Sequence, residues 1–153
     1  MGPQSGLVGR DCPRFSDAQA WQNFVSQGNH PDAVLVTLGT NDATIVSGLI
    51  KQGQLNISGK IRESIEFLAE SILGKFPNSL VFLLEPLGLR NSDALAIICN
   101  AVGETSVSSG TIRVVSHKAC GLTYKDRAHL TAAAHKVLAR LLATEIGKAI
   151  PSM

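Results

Sequence analysis

The sequence predicts an α/β fold: a three-layer α/β/α sandwich built on a parallel sheet. Two observations carry that expectation. Three apolar runs, Ala33-Val34-Leu35-Val36-Thr37-Leu38, Leu80-Val81-Phe82-Leu83-Leu84 and Thr111 to Val115, are bounded by turn residues. The first two read as strands buried on both faces, because they do not alternate between apolar and polar residues. Between and after them lie segments whose apolar residues recur every three or four positions, the period of a helix with one inward face. Strands that alternate with helices are joined by crossovers, so they run parallel with helices on the sheet faces.

Taken in order, Ser16 opens a helix over Asp17 to Gln27 with Trp21, Phe24 and Val25 on one face, and Gly28 stops it. The first strand follows and closes in Gly39-Thr40-Asn41-Asp42. The stretch from Ala43 to Gln54 is ambiguous in its periodicity. Ile57 to Phe76 carries Ile61, Ile65, Leu68, Ile72 and Leu73 at helical spacing, and Pro77-Asn78 ends it before the second strand. Ser92 or Asn91 caps a further helix running to about Val102. After the third strand, a long helix from Thr131 to Ile150 carries Val137, Leu138, Leu141, Leu142 and Ile146. At 153 residues, without repeat or linker, the chain reads as a single domain.

Composition excludes several function classes. The formal charge of +2, from 14 basic and 12 acidic residues scattered along the chain, gives no basic patch for nucleic acid or an anionic membrane. No apolar run approaches the roughly 20 residues of a membrane span, and the N-terminus has no signal-peptide pattern, so a soluble protein is expected. Cys12, Cys99 and Cys120 are odd in number and lack paired spacing, which points to free thiols in a reducing compartment. Cys99 reads as a core residue. His117-x-x-Cys120 lacks a second ligand pair, so no metal is expected. His30 reads as exposed and His135 as a helix-surface residue.

Two polar clusters sit where a parallel sheet places its chemistry, at the carboxyl ends of strands. One is Gly39-Thr40-Asn41-Asp42, which offers an amide donor; the other is Asp126-Arg127-Ala128-His129-Leu130, in which an acid three residues before a histidine can orient the ring. Either alone is more often a turn or a surface histidine. Their order and placement give them weight together.

Pro31 to Asp42, a buried strand ending in Gly39-Thr40-Asn41-Asp42, resembles the G-x-N-D block of the SGNH, or GDSL-type, ester hydrolases. Asp126-Arg127-Ala128-His129-Leu130 resembles their final D-x-x-H-L block, and Phe76 to Pro86 is similar to the family's fourth strand. The resemblance spans about Val8 to Ile150. It implies a flavodoxin-like SGNH fold and a serine-type hydrolase acting on an acyl or acetyl ester, with a small ester or acetylated carbohydrate as substrate and no cofactor. His129 would then be the general base, Asp126 its orienting acid, and Asn41 and Gly9 the oxyanion donors.

The pattern also departs from the family. Its G-D-S block, which carries the nucleophile after the first strand, has no counterpart, and Ser5 is the one residue that superficially resembles it. The expectation is therefore a sheet lacking the family's first strand and a site inactive in this chain alone. A second copy or a partner chain is expected to complete the sheet. The alternative is a catalytically dead module used for binding or assembly; a weaker third is an unrelated flavodoxin-like binding domain.

Overall fold

The computed structural model describes residues 23, 25–37, 39–89, 93–105 and 112–150. The described strands are β1 (Ala33–Val36), β2 (Leu80–Leu84) and β3 (Ile112–Val115), which form one parallel sheet in the order β1-β2-β3. The helices that pack with them are α1 (Ala43–Lys51), α2 (Ile57–Lys75), α3 (Asp93–Gly103) and α4 (Ala132–Ala149). The α/β class, the parallel sheet and the position of each predicted strand are as the sequence indicates.

β2 is the spine of the sandwich, because its alternate side chains serve two cores. Val81 and Leu83 join Val34, Val36, Val46, Ile61, Ile65, Leu68, Ile72 and Ile98, where α1, α2 and α3 cover one face. Phe82 and Leu84 turn the other way, onto Val115, Leu130, Ala134 and Leu138 under α4. Ile61, Ile65 and Leu68 lie one helical turn apart and are fully buried. Each contributes about 1.5–3 kcal/mol of hydrophobic stabilisation. α4 starts where Thr131 accepts a hydrogen bond from the Ala134 N–H, a side-chain cap on the first turn.

Several sequence expectations are corrected. β1 ends at Val36 rather than Leu38, and it is not buried on both faces: Leu35 is 38% exposed. The reason is position. β1 pairs only with β2 among the described residues, and on the face toward α4 its Ala33 packs against the cluster while Leu35 does not. A short apolar run cannot distinguish an edge strand from a central one. The open segment after Asp42 is a helix, α1, buried through Val46. Val137, expected in the inward stripe of the last helix, is 38% exposed and lies just outside the arc that faces the sheet.

The first predicted helix falls mostly outside the described residues. Asn23, Val25 and Ser26 are helical, and Val25 is exposed. The Asn91 or Ser92 cap also lies outside them. His30 and His135 are exposed and Cys99 is buried, as read from the sequence. No helix among the described residues is long and apolar enough to cross a membrane.

Candidate active site

Asp126 folds its own turn. One carboxylate oxygen accepts from the backbone N–H groups of Ala128 and His129, each at 2.8 Å. This is the local side-chain-to-backbone bonding that aspartate favours in turns. The turn brings the His129 ring back onto the same carboxylate, with Nδ1 at 3.0 Å from Oδ1 and 2.8 Å from Oδ2. The pKa of Asp126 is lowered from 3.8 to about 2, first by the Ala128 N–H, then by the His129 N–H and the His129 side chain. At neutral pH the carboxylate is ionised and only accepts, so Nδ1 must carry the proton. Nε2 is thereby left as the basic, outward nitrogen whenever the ring is neutral.

A short antiparallel closure holds this turn. Tyr124 and Leu130 bridge, Lys125 N–H donates to the His129 carbonyl at 2.9 Å, and Thr131 N–H donates to the Thr123 carbonyl at 3.1 Å. Leu130 is the buried anchor. The turn is also tied to the segment after β2: Leu89 N–H donates to the Arg127 carbonyl at 3.0 Å, and Gly88 N–H donates to the Tyr124 hydroxyl at 3.0 Å.

The Asn41 turn is fastened to that same segment. Asn41 is exposed in a 3-10 turn, Thr40–Asp42, and the Thr40 hydroxyl donates to the Leu87 carbonyl at 2.6 Å. Gly39 enters the turn at φ 120°, and a Cβ there would lie 2.6 Å from Cγ of Pro86. Only glycine combines that dihedral with so close an approach. Gly88, at φ 140°, is similarly hemmed: a Cβ would lie 2.9 Å from Leu95 and 3.4 Å from the Arg127 carbonyl. Residues 86–89 therefore act as the seam that brings the Asn41 and His129 turns to one end of the sheet. Asp126 and His129 are in direct contact, while Asn41 shares their seam. Gly9 and Ser5 lie outside the described residues.

Between the two turns opens a cleft of ≈ 500 Å³. One wall is a face of α1 with its preceding turn: Thr40, Thr44, Ser47 and Lys51. The others come from Gly88-Leu89, from Ala94-Leu95 and from Arg127-Ala128. Sequence reasoning missed this wall. The signal was there in the three-to-four-residue spacing of the polar side chains, opposite in phase to buried Val46.

A second imidazole–carboxylate pair was also missed. Glu85 directly follows β2 and His117 follows β3, and both are buried. His117 Nε2 lies 3.1 Å from the Glu85 carbonyl oxygen, 3.2 Å from the Pro86 carbonyl oxygen and 3.6 Å from Glu85 Oε1. The sequence had suggested only a His-x-x-Cys metal fragment here. No group of three or more histidine, cysteine, aspartate or glutamate residues among the described residues is placed to hold a metal ion.

No family model and no curated protein matches the chain. Solved structures do. An acetyl esterase carrying a serine-to-alanine substitution, crystallised with acetate ion, superposes with a TM-score of 0.63 at 15% identity, covering 90% of this chain and 66% of that one. A carbohydrate esterase family 3 structure from Talaromyces cellulolyticus gives 0.63 at 13% identity with the same coverages. A carbohydrate esterase family 2 enzyme with a carbohydrate binding domain, from Corynascus thermopiles (Myceliophthora fergusii), gives 0.58 at 24% identity, covering 80% of this chain and 38% of that one. The chain thus has the α/β fold of these esterases and spans two thirds of their length or less.

Proposed function

We propose that this chain carries the base and oxyanion side of an SGNH-type acyl-ester hydrolase site, acting on O-acetyl groups of a carbohydrate. The observation that supports this most is the Asp126–His129 geometry, which fixes Nδ1 as the bonded nitrogen and leaves Nε2 as the nitrogen not held by Asp126. In this reading a serine hydroxyl attacks the ester carbonyl while His129 Nε2 takes its proton. Asp126 holds the ring and stabilises the imidazolium. The Asn41 side-chain amide, with the Gly9 N–H, donates to the oxyanion. The imidazolium then returns its proton to the departing alcohol, and water repeats the sequence on the acyl-enzyme. Ser5 is the nucleophile the sequence offers. The esterase fold of the similar structures supports the ester as substrate class.

A second reading, a binding module on the same frame, is favoured by one observation: among the described residues no hydroxyl is hydrogen-bonded to His129 Nε2. A fluorophosphonate probe separates the two. The hydrolase reading expects covalent labelling of one serine, mapped by mass spectrometry, together with turnover of 4-nitrophenyl acetate. Ser5→Ala should abolish both if Ser5 is that serine. Neither labelling nor turnover in the assembled protein, any partner chain included, means the binding module.

Completion of the sheet by a second copy or a partner chain is also proposed, supported by the edge of β1 that no described strand pairs with and by the exposure of Leu35. Light scattering over a dilution series tests it. A stable monomer in which Ala33 to Val36 resist hydrogen exchange excludes it.

A further inference from the structure

We infer that the cleft between the Asn41 and His129 turns selects a saccharide bearing an anionic group, carboxylate or phosphate, rather than a neutral sugar. Among the described residues the cleft is lined by two cations, Lys51 and Arg127, and by the hydroxyl-bearing residues Thr40, Thr44 and Ser47, with no acidic residue. Lys51 closes α1, where a helix favours a cation on its own account. That account does not extend to Arg127, which reaches the same cleft from a different segment. Among the described residues neither cation forms an ion pair, so no described carboxylate neutralises their charge.

Asp126, the acid next in sequence to Arg127, is engaged by the N–H groups of its own turn and by His129. Arg127 is also fixed in place at its backbone, through its carbonyl and the Leu89 N–H. A concave surface with charge of one sign focuses its field on an incoming ion, and a guanidinium binds carboxylate and phosphate oxygens with two parallel donors. The hydroxyl groups of Thr44 and Ser47, one helical turn apart on α1, suit the hydroxyls of a sugar ring.

This inference deepens the hydrolase reading for the ester chemistry, yet binding is measurable without turnover. Titrations of the purified chain with glucuronate, glucose 6-phosphate and glucose, followed by NMR of backbone amides, test it directly. The expected result is at least tenfold tighter binding of one or both anions than of glucose, with shifts at Thr44, Ser47 and Ala128. Which anion binds tighter identifies the group as carboxylate or phosphate. The preference should fall severalfold in Lys51→Gln and in Arg127→Gln, disappear in the double variant, and weaken as salt rises. Equal binding of the three sugars, no binding of any, or a preference that survives the double variant overturns the inference. Turnover of 4-nitrophenyl acetate, which has neither sugar nor anionic group, reports separately on the hydrolase reading. Loss of that turnover with the anion preference intact would sink the hydrolase reading and leave this one standing.

Discussion

His129 and His117 lie at the same end of the sheet, each beside a carboxylate, and the fold uses opposite nitrogens to hold them. His129 bonds through Nδ1 to an ionised Asp126, with side-chain exposures of 71% and 53% for the pair. His117 turns Nε2 toward two backbone carbonyls and the Glu85 carboxylate, with exposures of 7% and 6%. A carbonyl only accepts, so the His117 Nε2 carries the proton and is occupied. Each neutral ring keeps one lone-pair nitrogen, but that of His129 is on an exposed ring, while His117 is buried and closes the ends of β2 and β3. A ring can serve as a base when the nitrogen left over is also accessible to a reacting group.

The largest effect that would break this contrast is on catalysis. His129→Ala should lower kcat/KM for 4-nitrophenyl acetate by about 10²–10⁴-fold, the usual share of a general base. Its melting temperature should move by less than about 2 °C, because an exposed pair adds little stability. Equal losses of activity and stability would mean that His129 is structural.

His117→Ala should do the reverse. It removes the donor to two buried carbonyls and leaves a cavity, at a cost of about 3 kcal/mol. Calorimetry should then show a fall of roughly 6–12 °C in Tm for a domain of this size. The variant Glu85→Gln, which keeps the shape and removes the charge, should fall less. A His117→Ala protein as stable as the parent would show that the buried pair is dispensable.

The two tautomers sharpen the comparison without any substitution. Long-range ¹⁵N–¹H spectra of the neutral rings should give His129 as the Nδ1–H form and His117 as the Nε2–H form. Identical tautomers would remove the basis for assigning the two rings different roles.

The smallest effect is at low pH. The folded pKa of Asp126 is depressed, so its contribution is present above the unfolded value near 3.8 and is lost as pH falls through about 2. NMR titration of the Asp126 carboxyl should find its midpoint close to 2. In His129→Ala the midpoint should rise only in part, since the two larger causes are backbone N–H groups that the substitution retains. A return to the ordinary value would make the imidazole, not the turn, the source of the depression.

The sequence by itself determined what is local. Apolar runs located β1, β2 and β3, and three-to-four-residue spacing located α2 and α4, because periodicity records which face each element buries. The contact between Asp126 and His129 was also legible, since a turn of four residues brings it about. Tertiary structure decided the rest. Leu35 has the same character as the buried residues around it, and only its place on a strand with one described neighbour leaves it exposed. Glu85 and His117 are distant in sequence and become a pair because parallel neighbours end side by side. The cleft wall of Thr40, Thr44, Ser47 and Lys51 acquires meaning once residues 86–89 draw Arg127 to the same place. Spacing along a chain fixes faces and turns, whereas the meeting of separate segments follows from how their buried faces pack.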